Sequence, residues 1–243
     1  MTNAYFSPRA RIGLIIPSSN RLSEPQFQRY APPDVAVHVT RLGITRPDAP
    51  PALEMLPQIQ EAASYLADAR CDIIVFHCTA SSMEAGVEGD RRITAALSQA
   101  TGIRCISTAT AVVEAFRALG IRKTVLASPY RDNLGEIAFL EEAGIRVLHD
   151  RALGLTSDGF IAEPPSTWVR VVMEEGDPEA EGYFLSCTNI HSLDVLEELE
   201  ERLGKPVVAS NQAVLWHCLR LVGLGDVVPG LGGLMRIGVP AAV

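Results

Sequence analysis

The chain of 243 residues predicts an α/β protein with parallel sheets, arranged as two similar lobes related by a pseudo-twofold axis. Two observations predict this fold. Short apolar runs alternate with helical patterns along the chain, and part of this pattern occurs twice. Alternating strands and helices are typical of βαβ units with parallel strands. Ligands bind beyond the carboxyl ends of such strands, so we expect the functional side chains there.

Short apolar runs define the predicted strands, and apolar residues at helical spacing define the predicted helices. The strands are predicted at residues 11–17, 35–42, 73–76, 105–107, 124–127, 146–148, 183–185 and 207–209. The helices are predicted at residues 52–69, 91–100, 111–119, 134–143, 167–174, 193–203 and 210–221. Glycine follows several of these helices, as is usual after a last helical turn.

An internal repeat relates the two halves of the chain. Phe76-His77-Cys78-Thr79 is similar to Leu185-Ser186-Cys187-Thr188, and each segment is followed by a helix, a glycine and another strand. We place lobe 1 at residues 1–110 plus 210–243 and lobe 2 at residues 111–209. The two Cys-Thr strand ends are then expected to face each other across a cleft.

Charge and cysteine content narrow the possible functions. The net charge is −8, so we expect no nucleic-acid partner, because no basic surplus is present to neutralise phosphates. No apolar run reaches the ~18 residues that span a bilayer, and the apolar stretch near the N-terminus is too short for a signal peptide. We therefore expect a cytoplasmic protein without membrane association. The five cysteines are expected to be thiols, since disulfides are rare in a reducing compartment.

Cys78 and Cys187 are the candidate catalytic residues, because each follows a repeated strand. The N-terminus of a following helix would lower the pKa of such a thiol. Two opposed thiols can transfer protons on both faces of a carbon, or one can attack carbon while the other handles a proton. Neither reaction requires a cofactor. The remaining cysteines, Cys71, Cys105 and Cys218, are expected to be core residues.

Neutral polar residues follow the other predicted strands. Hydroxyls, amides and backbone N–H groups can bind carboxylate oxygens without a cation, which favours a small anionic substrate. The residues in question are Ser18, Ser19, Asn20, Thr79, Ser81, Ser82, Tyr130, Thr188, Asn189, Ser210 and Asn211. We expect no metal site, because no C-x-x-C or H-E-x-x-H motif is present and His77 and Cys78 should point to opposite faces of their strand.

Several short motifs, taken in order, resemble the maleate cis–trans isomerases, which are grouped with arylmalonate decarboxylase and the aspartate/glutamate racemases. The resemblance covers nearly the whole chain. It implies two Rossmann-like (flavodoxin-like) lobes with the active site in the cleft between them, no cofactor, and a homo-oligomer (dimer or larger). The motifs are Pro17-Ser18-Ser19-Asn20, Cys78-Thr79, Ala127-Ser128-Pro129-Tyr130, Leu185-Ser186-Cys187 and Val227-Val228-Pro229-Gly230.

The resemblance also implies roles for individual residues. Cys78 would add to an alkene carbon of a small carboxylate or dicarboxylate, and Cys187 would be its acid/base partner. The decarboxylase has glycine at the position of Cys78, so the cysteine favours an isomerase or racemase. The substrate-binding residues would be Asn20, Ser18 and Tyr130, backbone N–H groups near Thr79, Ala80 and Thr188, and Asp158.

Two departures from the isomerase pattern bear on the substrate. The isomerases continue Pro-Ser-Ser-Asn with a segment of the type Thr-Thr-Met-Glu-Thr-Glu, where this chain has Arg21-Leu22-Ser23-Glu24-Pro25. They carry Asn near Ser157-Asp158, and the charge of Asp158 would repel a second carboxylate unless it is protonated or turned away. Three hypotheses follow: a maleate-type isomerase, a racemase or decarboxylase acting at the carbon α to a carboxylate, and a non-enzymatic module that binds small acids.

Overall fold

Two parallel sheets form the framework of the computed structural model, which describes residues 8–44 and 50–238. The N-terminal sheet has the strand order β2-β1-β3-β4, and the C-terminal sheet has the order β6-β5-β7-β8. All neighbouring strands are parallel. The strands are β1 (Ala10–Pro17), β2 (Val35–Leu42), β3 (Ile73–Phe76), β4 (Arg104–Ser107), β5 (Lys123–Ser128), β6 (Arg146–Ala152), β7 (Gly182–Leu185) and β8 (Val207–Ala209). The matching strand orders confirm the predicted α/β fold with two similar halves.

Helices connect the strands and cover the sheets. They are α1 (Ser23–Tyr30), α2 (Leu56–Asp68), α3 (Thr79–Met83), α4 (Gly86–Thr101), α5 (Thr108–Leu119), α6 (Leu134–Glu142), α7 (Ser157–Ala162), α8 (Pro165–Glu174), α9 (Leu196–Leu203), α10 (Ser210–Leu221) and a 3₁₀ helix at Gly233–Arg236. Within the described ranges, none of these helices has the length and apolar character needed to cross a bilayer.

The predicted elements agree with the observed ones except where local sequence is weakly patterned. Helices α1, α3 and α7 have eight residues or fewer, too few to show a helical period, and were not predicted. The edge strand β6 extends beyond its predicted end to Ala152. An edge strand is partly exposed to solvent, so the polar residues His149, Asp150 and Arg151 can be part of it. Helix α2 starts at Leu56 rather than residue 52, with a proline in its first turn.

Gly102 and Gly204 show that the repeat extends to local backbone geometry. They follow α4 and α9 in the left-handed region, with φ of 69° and 63°. This conformation suits glycine because a side chain there is strained. The two glycines therefore end equivalent helices and lead into β4 and β8, which occupy equivalent places in the two sheets.

One large core joins the two halves. It includes residues of β1 and β3 in the N-terminal sheet and of β5 and β7 in the C-terminal sheet. Helices α5 and α10, which follow the last strand of each sheet, pack against each other and contribute to this core. The lobe boundaries at residues 110/111 and 209/210 remain predictions, and the parts of lobe 1 at residues 1–7, 45–49 and 239–243 lie outside the described residues.

Candidate active site

A cavity of about 230 Å³ lies at the carboxyl ends of β1, β3, β5 and β7. Because these strands come from both sheets, the cavity lies between the two halves, where ligands of parallel sheets bind. It is lined by Pro17, Ser19, Asn20, Cys78, Ala80, Tyr130, Ser157, Phe160, Cys187, Thr188 and Asn189. The structure therefore brings together Cys78 and Cys187, and with them Asn20, Ala80, Tyr130 and Thr188.

Cys78 lies directly before α3 and its side chain is buried. Its thiol donates a hydrogen bond to Ser81 Oγ at 3.3 Å. Burial raises the pKa of Cys78, while the hydroxyl and the backbone N–H of Ser81 oppose this shift. A lowered pKa was expected from the following helix, but that helix is only five residues long and the loss of solvent outweighs it.

Cys187 is buried in a similar setting, but a loop follows it instead of a helix. The Asn189 N–H donates to its sulfur at 3.3 Å. Burial raises the pKa of Cys187 to about 12, and hydrogen bonds from the Asn189 N–H and the Tyr130 hydroxyl oppose this shift. Each sulfur thus has one backbone N–H and one hydroxyl beside it, and these donors stabilise a thiolate when it forms.

The backbone of Cys187 is strained. Its φ is 127°, a region that few residues other than glycine adopt. Such conformations persist where the surrounding structure holds them, and they cluster at functional sites. The neighbouring contacts fit this description. The Cys187 N–H donates to Ser210 Oγ at 3.2 Å. The side chains of Asn20, Ser23 and Asn211 donate to the carbonyl of the following residue, Thr188.

Asn20 lines the cavity, and its side-chain amide is hydrogen-bonded to neighbouring residues. Its Nδ2 donates to Thr188 Oγ1 at 3.0 Å and to Ser23 Oγ at 2.9 Å. Its Oδ1 accepts from the N–H groups of Leu22 and Ser23. A substrate carboxylate must therefore share or replace the hydrogen bonds that Nδ2 makes.

Tyr130 closes the side of the cavity near Cys187. Its ring meets that of Phe160 edge to face, with the centroids 5.9 Å apart. Burial raises the pKa of Tyr130 well above its usual value, and the nearby Cys187 and Glu136 add to the shift. The hydroxyl therefore stays protonated across the neutral range and can act as a neutral hydrogen-bond donor.

Three residues predicted to bind substrate have side chains outside the cavity wall. The Ser18 side chain is exposed, while its backbone N–H donates to the Leu42 carbonyl and continues the hydrogen-bond ladder of β1. Ser19 lines the cavity instead. Thr79 is buried, and its hydroxyl donates to Ser210 Oγ at 2.9 Å. Since Ser210 also accepts from the Cys187 N–H, Thr79 links the backbones next to the two cysteines.

Asp158 is the third of these residues. Its side chain is 92% exposed and lies 2.6 Å from a guanidinium nitrogen of Arg21. Ser157 and Phe160, which share helix α7 with Asp158, line the cavity instead. The carboxylate is thus turned toward Arg21, so the repulsion of a second substrate carboxylate expected from the sequence is weakened. Arg21 and Asp158, the two departures from the isomerase pattern, pair with each other.

Phe160 and the polar residues behind Asn20 were missed as parts of the site. Phe160 lies on α7, and Ser23 and Gln26 lie on α1. Neither helix was predicted, so their buried faces could not be assigned. The apolar pair Phe160-Ile161 after a turn-forming Ser-Asp-Gly was the available signal. Within residues 8–44 and 50–238, no group of three or more His, Cys, Asp or Glu side chains is arranged to hold a metal ion.

Comparison with known proteins gives a consistent result. The family model described as arylmalonate decarboxylase matches residues 12–235. The arylmalonate decarboxylase of Bordetella bronchiseptica is 32% identical over 229 residues, which cover 92% of this chain and 95% of that protein. The maleate isomerase of Nocardia farcinica is 30% identical over 241 residues, which cover 93% of this chain and 95% of that protein.

Solved structures show the same relationship. A liganded arylmalonate decarboxylase with one glycine-to-cysteine and one cysteine-to-serine substitution has a TM-score of 0.84 and 30% identity, covering 93% of this chain and 98% of that chain. A cysteine-to-serine variant of the Nocardia farcinica maleate cis–trans isomerase has a TM-score of 0.83 and 27% identity, with the same coverage. That variant carries a covalently bound succinylcysteine intermediate.

Proposed function

Because the chain belongs to the arylmalonate decarboxylase family, we propose that it isomerises a small carboxylic acid with two cysteines and without a cofactor, by maleate-type cis–trans isomerisation. The observation that carries the proposal is the position of Cys78 and Cys187 in one small cavity, each at the end of the third strand of its sheet. Two thiols in one site suit a reaction in which one forms a bond to carbon and the other moves a proton.

The proposed reaction begins with the Cys78 thiolate, whose proton has passed to solvent. Its sulfur forms a bond to one alkene carbon, and the π electrons move to the other carbon and its carboxylate. The Cys187 thiol then gives a proton to that carbon. The saturated adduct rotates about its single bond, the Cys187 thiolate removes the proton, and the carbon–sulfur bond breaks to release the trans acid and the Cys78 thiolate.

Neutral donors would hold the substrate. The Tyr130 hydroxyl, the Asn20 amide and backbone N–H groups near Ala80 and Thr188 can bind carboxylate oxygens. The cavity volume of about 230 Å³ is smaller than the ~300–1,000 Å³ of sites for drug-sized ligands, which supports a small acid. On the family resemblance, we also propose a homo-oligomer (dimer or larger) and a cytoplasmic location.

The apolar part of the cavity wall favours a second candidate. Pro17, Ala80 and Phe160 offer a surface for an apolar substituent rather than for a second carboxylate. An acid with such a substituent would react at the carbon next to its carboxylate. The same thiols would then act in racemisation, in which one removes and the other returns a proton, or in decarboxylation, in which one supplies a proton after loss of CO₂.

The test is a panel of acids incubated with the protein in D₂O and followed by proton NMR. The panel contains cis-unsaturated mono- and dicarboxylates, arylmalonates and chiral 2-substituted acids. Conversion of a cis acid to its trans isomer is expected. Deuterium incorporation at a saturated α-carbon without loss of CO₂ indicates racemisation, and loss of CO₂ indicates decarboxylation. Tight binding without turnover of any acid would contradict the enzymatic proposal and favour a binding module.

Cysteine variants test the assignment of the two thiols. Cys78→Ala and Cys187→Ala are each expected to lower turnover by ~10²–10⁴-fold, the usual contribution of a positioned acid or base. Cys218→Ala is the matched control, because Cys218 is equally buried but lies outside the cavity. Full turnover in both site variants would show that the two-thiol mechanism is wrong.

A further inference from the structure

We infer that Asn211 and Ser23 are positioning residues for Cys187: they hold the Thr188 carbonyl and so fix the strained backbone that presents the Cys187 sulfur to the cavity. Neither residue lines the cavity, so their effect is exerted through the loop. The inference rests on the proposed function, because it assigns these residues to the proton-handling half of the two-cysteine reaction.

The Thr188 carbonyl accepts an unusual number of hydrogen bonds. Ser23 Oγ donates to it at 2.9 Å, Asn211 Nδ2 at 3.1 Å and Asn20 Nδ2 at 3.2 Å. A carbonyl oxygen has two lone pairs, so three donors exceed its ordinary capacity. The three side chains are fully or almost fully buried and come from the loop after β1, from α1 and from α10, so the carbonyl is held from several directions.

The same helix also holds the other side of Cys187. The first two residues of α10 are Ser210 and Asn211. Ser210 Oγ accepts from the Cys187 N–H, and Asn211 donates to the Thr188 carbonyl. The fixed groups therefore lie at the two ends of the Cys187–Thr188 segment, and together they restrain the segment that contains the φ of 127° at Cys187. Without them, we expect the backbone to relax to negative φ, which would turn the thiol away from its place.

A second link ties the loop to α1. Asn211 Nδ2 also donates to Gln26 Oε1 at 2.5 Å, and Gln26 Nε2 donates to the Ile190 carbonyl at 3.0 Å. The loop after Cys187 is thus held at the carbonyls of both Thr188 and Ile190. Cys78 has no comparable support, since a helix follows it directly and fixes its backbone. The Asn211 side chain also interacts with His77, the residue before Cys78, but His77 is held by Thr108 as well. Loss of the network should therefore affect Cys187 far more than Cys78.

This selectivity gives the inference a signature that a purely structural role would not produce. If Cys187 is misplaced while Cys78 is intact, the carbon–sulfur bond still forms and water supplies the proton that completes the adduct. Removal of that proton then slows, because it needs the Cys187 thiolate in place. The covalent adduct on Cys78 should then accumulate during turnover. The value of KM should rise as well, because Ser23 and Asn211 hold Thr188 and Ser23 accepts a hydrogen bond from Asn20. The signature is therefore the accumulated adduct and not the value of KM.

The experiment compares Asn211→Ala and Ser23→Ala with the wild-type protein. Both variants are expected to lower kcat by ~10–100-fold, as a displacement of about 1 Å can do. Intact-protein mass spectrometry should show more adduct on Cys78. Ser23→Thr keeps the hydroxyl and should restore kcat. Ser192→Ala is the control, since Ser192 is buried but its hydroxyl has no hydrogen-bond partner within residues 8–44 and 50–238.

Thiol alkylation provides a second measurement that does not depend on turnover. A neutral alkylating reagent is expected to change its rate of reaction at Cys187 in both alanine variants and to keep its wild-type rate at Cys78. Equal changes at both cysteines, or an unchanged kcat and unchanged alkylation, would overturn the inference. If the wild-type protein converts no acid, the proposed function fails, and the alkylation rates still decide whether Asn211 and Ser23 position Cys187.

Discussion

Glu136 is a buried carboxyl group near the two thiols that the proposed reaction does not use. It lies in the first turn of α6. Burial raises its pKa from 4.5 to about 7, and the charge of Asp132 adds to the shift. Ionised Glu136 also contributes to the raised pKa values of Tyr130, Cys78 and Cys187. Its protonation state therefore affects both the stability of the fold and the chemistry of the site.

Replacing Glu136 by glutamine should remove a pH-dependent loss of stability. Because the pKa of Glu136 is higher in the folded protein, the folded state holds this proton more tightly, and the stabilisation present below pH 4.5 is lost as the pH rises to about 7. Glu136→Gln stays neutral. It should match the wild-type protein near pH 4.5 and exceed its free energy of unfolding by about 3–4 kcal/mol at about pH 8, at roughly 1.4 kcal/mol per pKa unit.

Urea denaturation between about pH 5 and 8 measures this difference, within the range where the linkage acts. Buried histidines also change stability with pH, since burial lowers the pKa of His77 to about 3, but they are common to both proteins and cancel. Glu54→Gln removes the same charge at an exposed position and should keep the wild-type pH dependence. An unaltered pH dependence in Glu136→Gln would contradict the role assigned to its burial.

Individual residues differed in how far their roles could be predicted. Cys78 and Cys187 could be assigned because they end repeated strands. The contact between Arg21 and Asp158 could not, since it joins the loop before α1 to α7 and neither helix was predicted. Both side chains are at least half exposed, and such pairs contribute ~0–1 kcal/mol. Their importance therefore lies in where the Asp158 charge points rather than in stability.

At the scale of elements, the strands were easier to predict than the short helices. A strand such as β3 is an uninterrupted apolar run whose residues are all buried, and its limits follow from the polar residues around it. Helix α1 has a low apolar content and is fixed by contacts with other parts of the chain, including the Gln26 bond to the Ile190 carbonyl. Long-range contacts of this kind have no local sequence pattern, so the support for Cys187 was not foreseen.

Two glycine-to-alanine substitutions should change stability in opposite directions. At Gly182, where β7 begins, a Cβ would lie 2.5 Å from Ile121 Cδ1 and 3.0 Å from the Pro206 carbonyl oxygen. Gly182→Ala should therefore destabilise the protein by about 1–3 kcal/mol, as overpacking does. At Gly135 in α6, no atom of the described part of the chain lies within 4 Å of the added atom, and Gly135→Ala should stabilise by about 0.4–1 kcal/mol.

Chemical denaturation at constant pH measures both changes, and each variant serves as the control for the other. They introduce the same methyl group and differ only in its surroundings. A stability loss at Gly135 similar to that at Gly182 would show that the close packing at the start of β7 is not the cause.

At the scale of the whole molecule, the repeat predicted the architecture but not the asymmetry of the site. β3 and β7 hold the same place in their sheets, so the two cysteines enter one cavity from equivalent positions. The segments then diverge: α3 follows Cys78, whereas Cys187 has a strained backbone itself and is followed by a loop. The residues directly after Thr79 and Thr188 differ, and these different residues lead to different backbones.

The charge of the whole molecule should influence capture of the substrate. The net charge is −8, and among the residues that the structure describes no lysine, arginine, aspartate or glutamate lines the cavity. An approaching dianion therefore meets long-range repulsion that no cation in the cavity wall offsets. Because salt screens this repulsion, with a Debye length of ~30 Å at 0.01 M and ~8 Å at 0.15 M, kcat/KM for a dicarboxylate should rise over that range by about 2–5-fold.

Initial rates at low substrate concentration measure this dependence, since they report kcat/KM directly. A monocarboxylate should show a smaller rise because its charge is half as large, and alkylation of Cys78 by a neutral reagent should not change with salt. A fall in kcat/KM with added salt would contradict the prediction. It would mean that the local field of the backbone N–H groups and Arg21 at the cavity mouth outweighs the charge of the molecule as a whole.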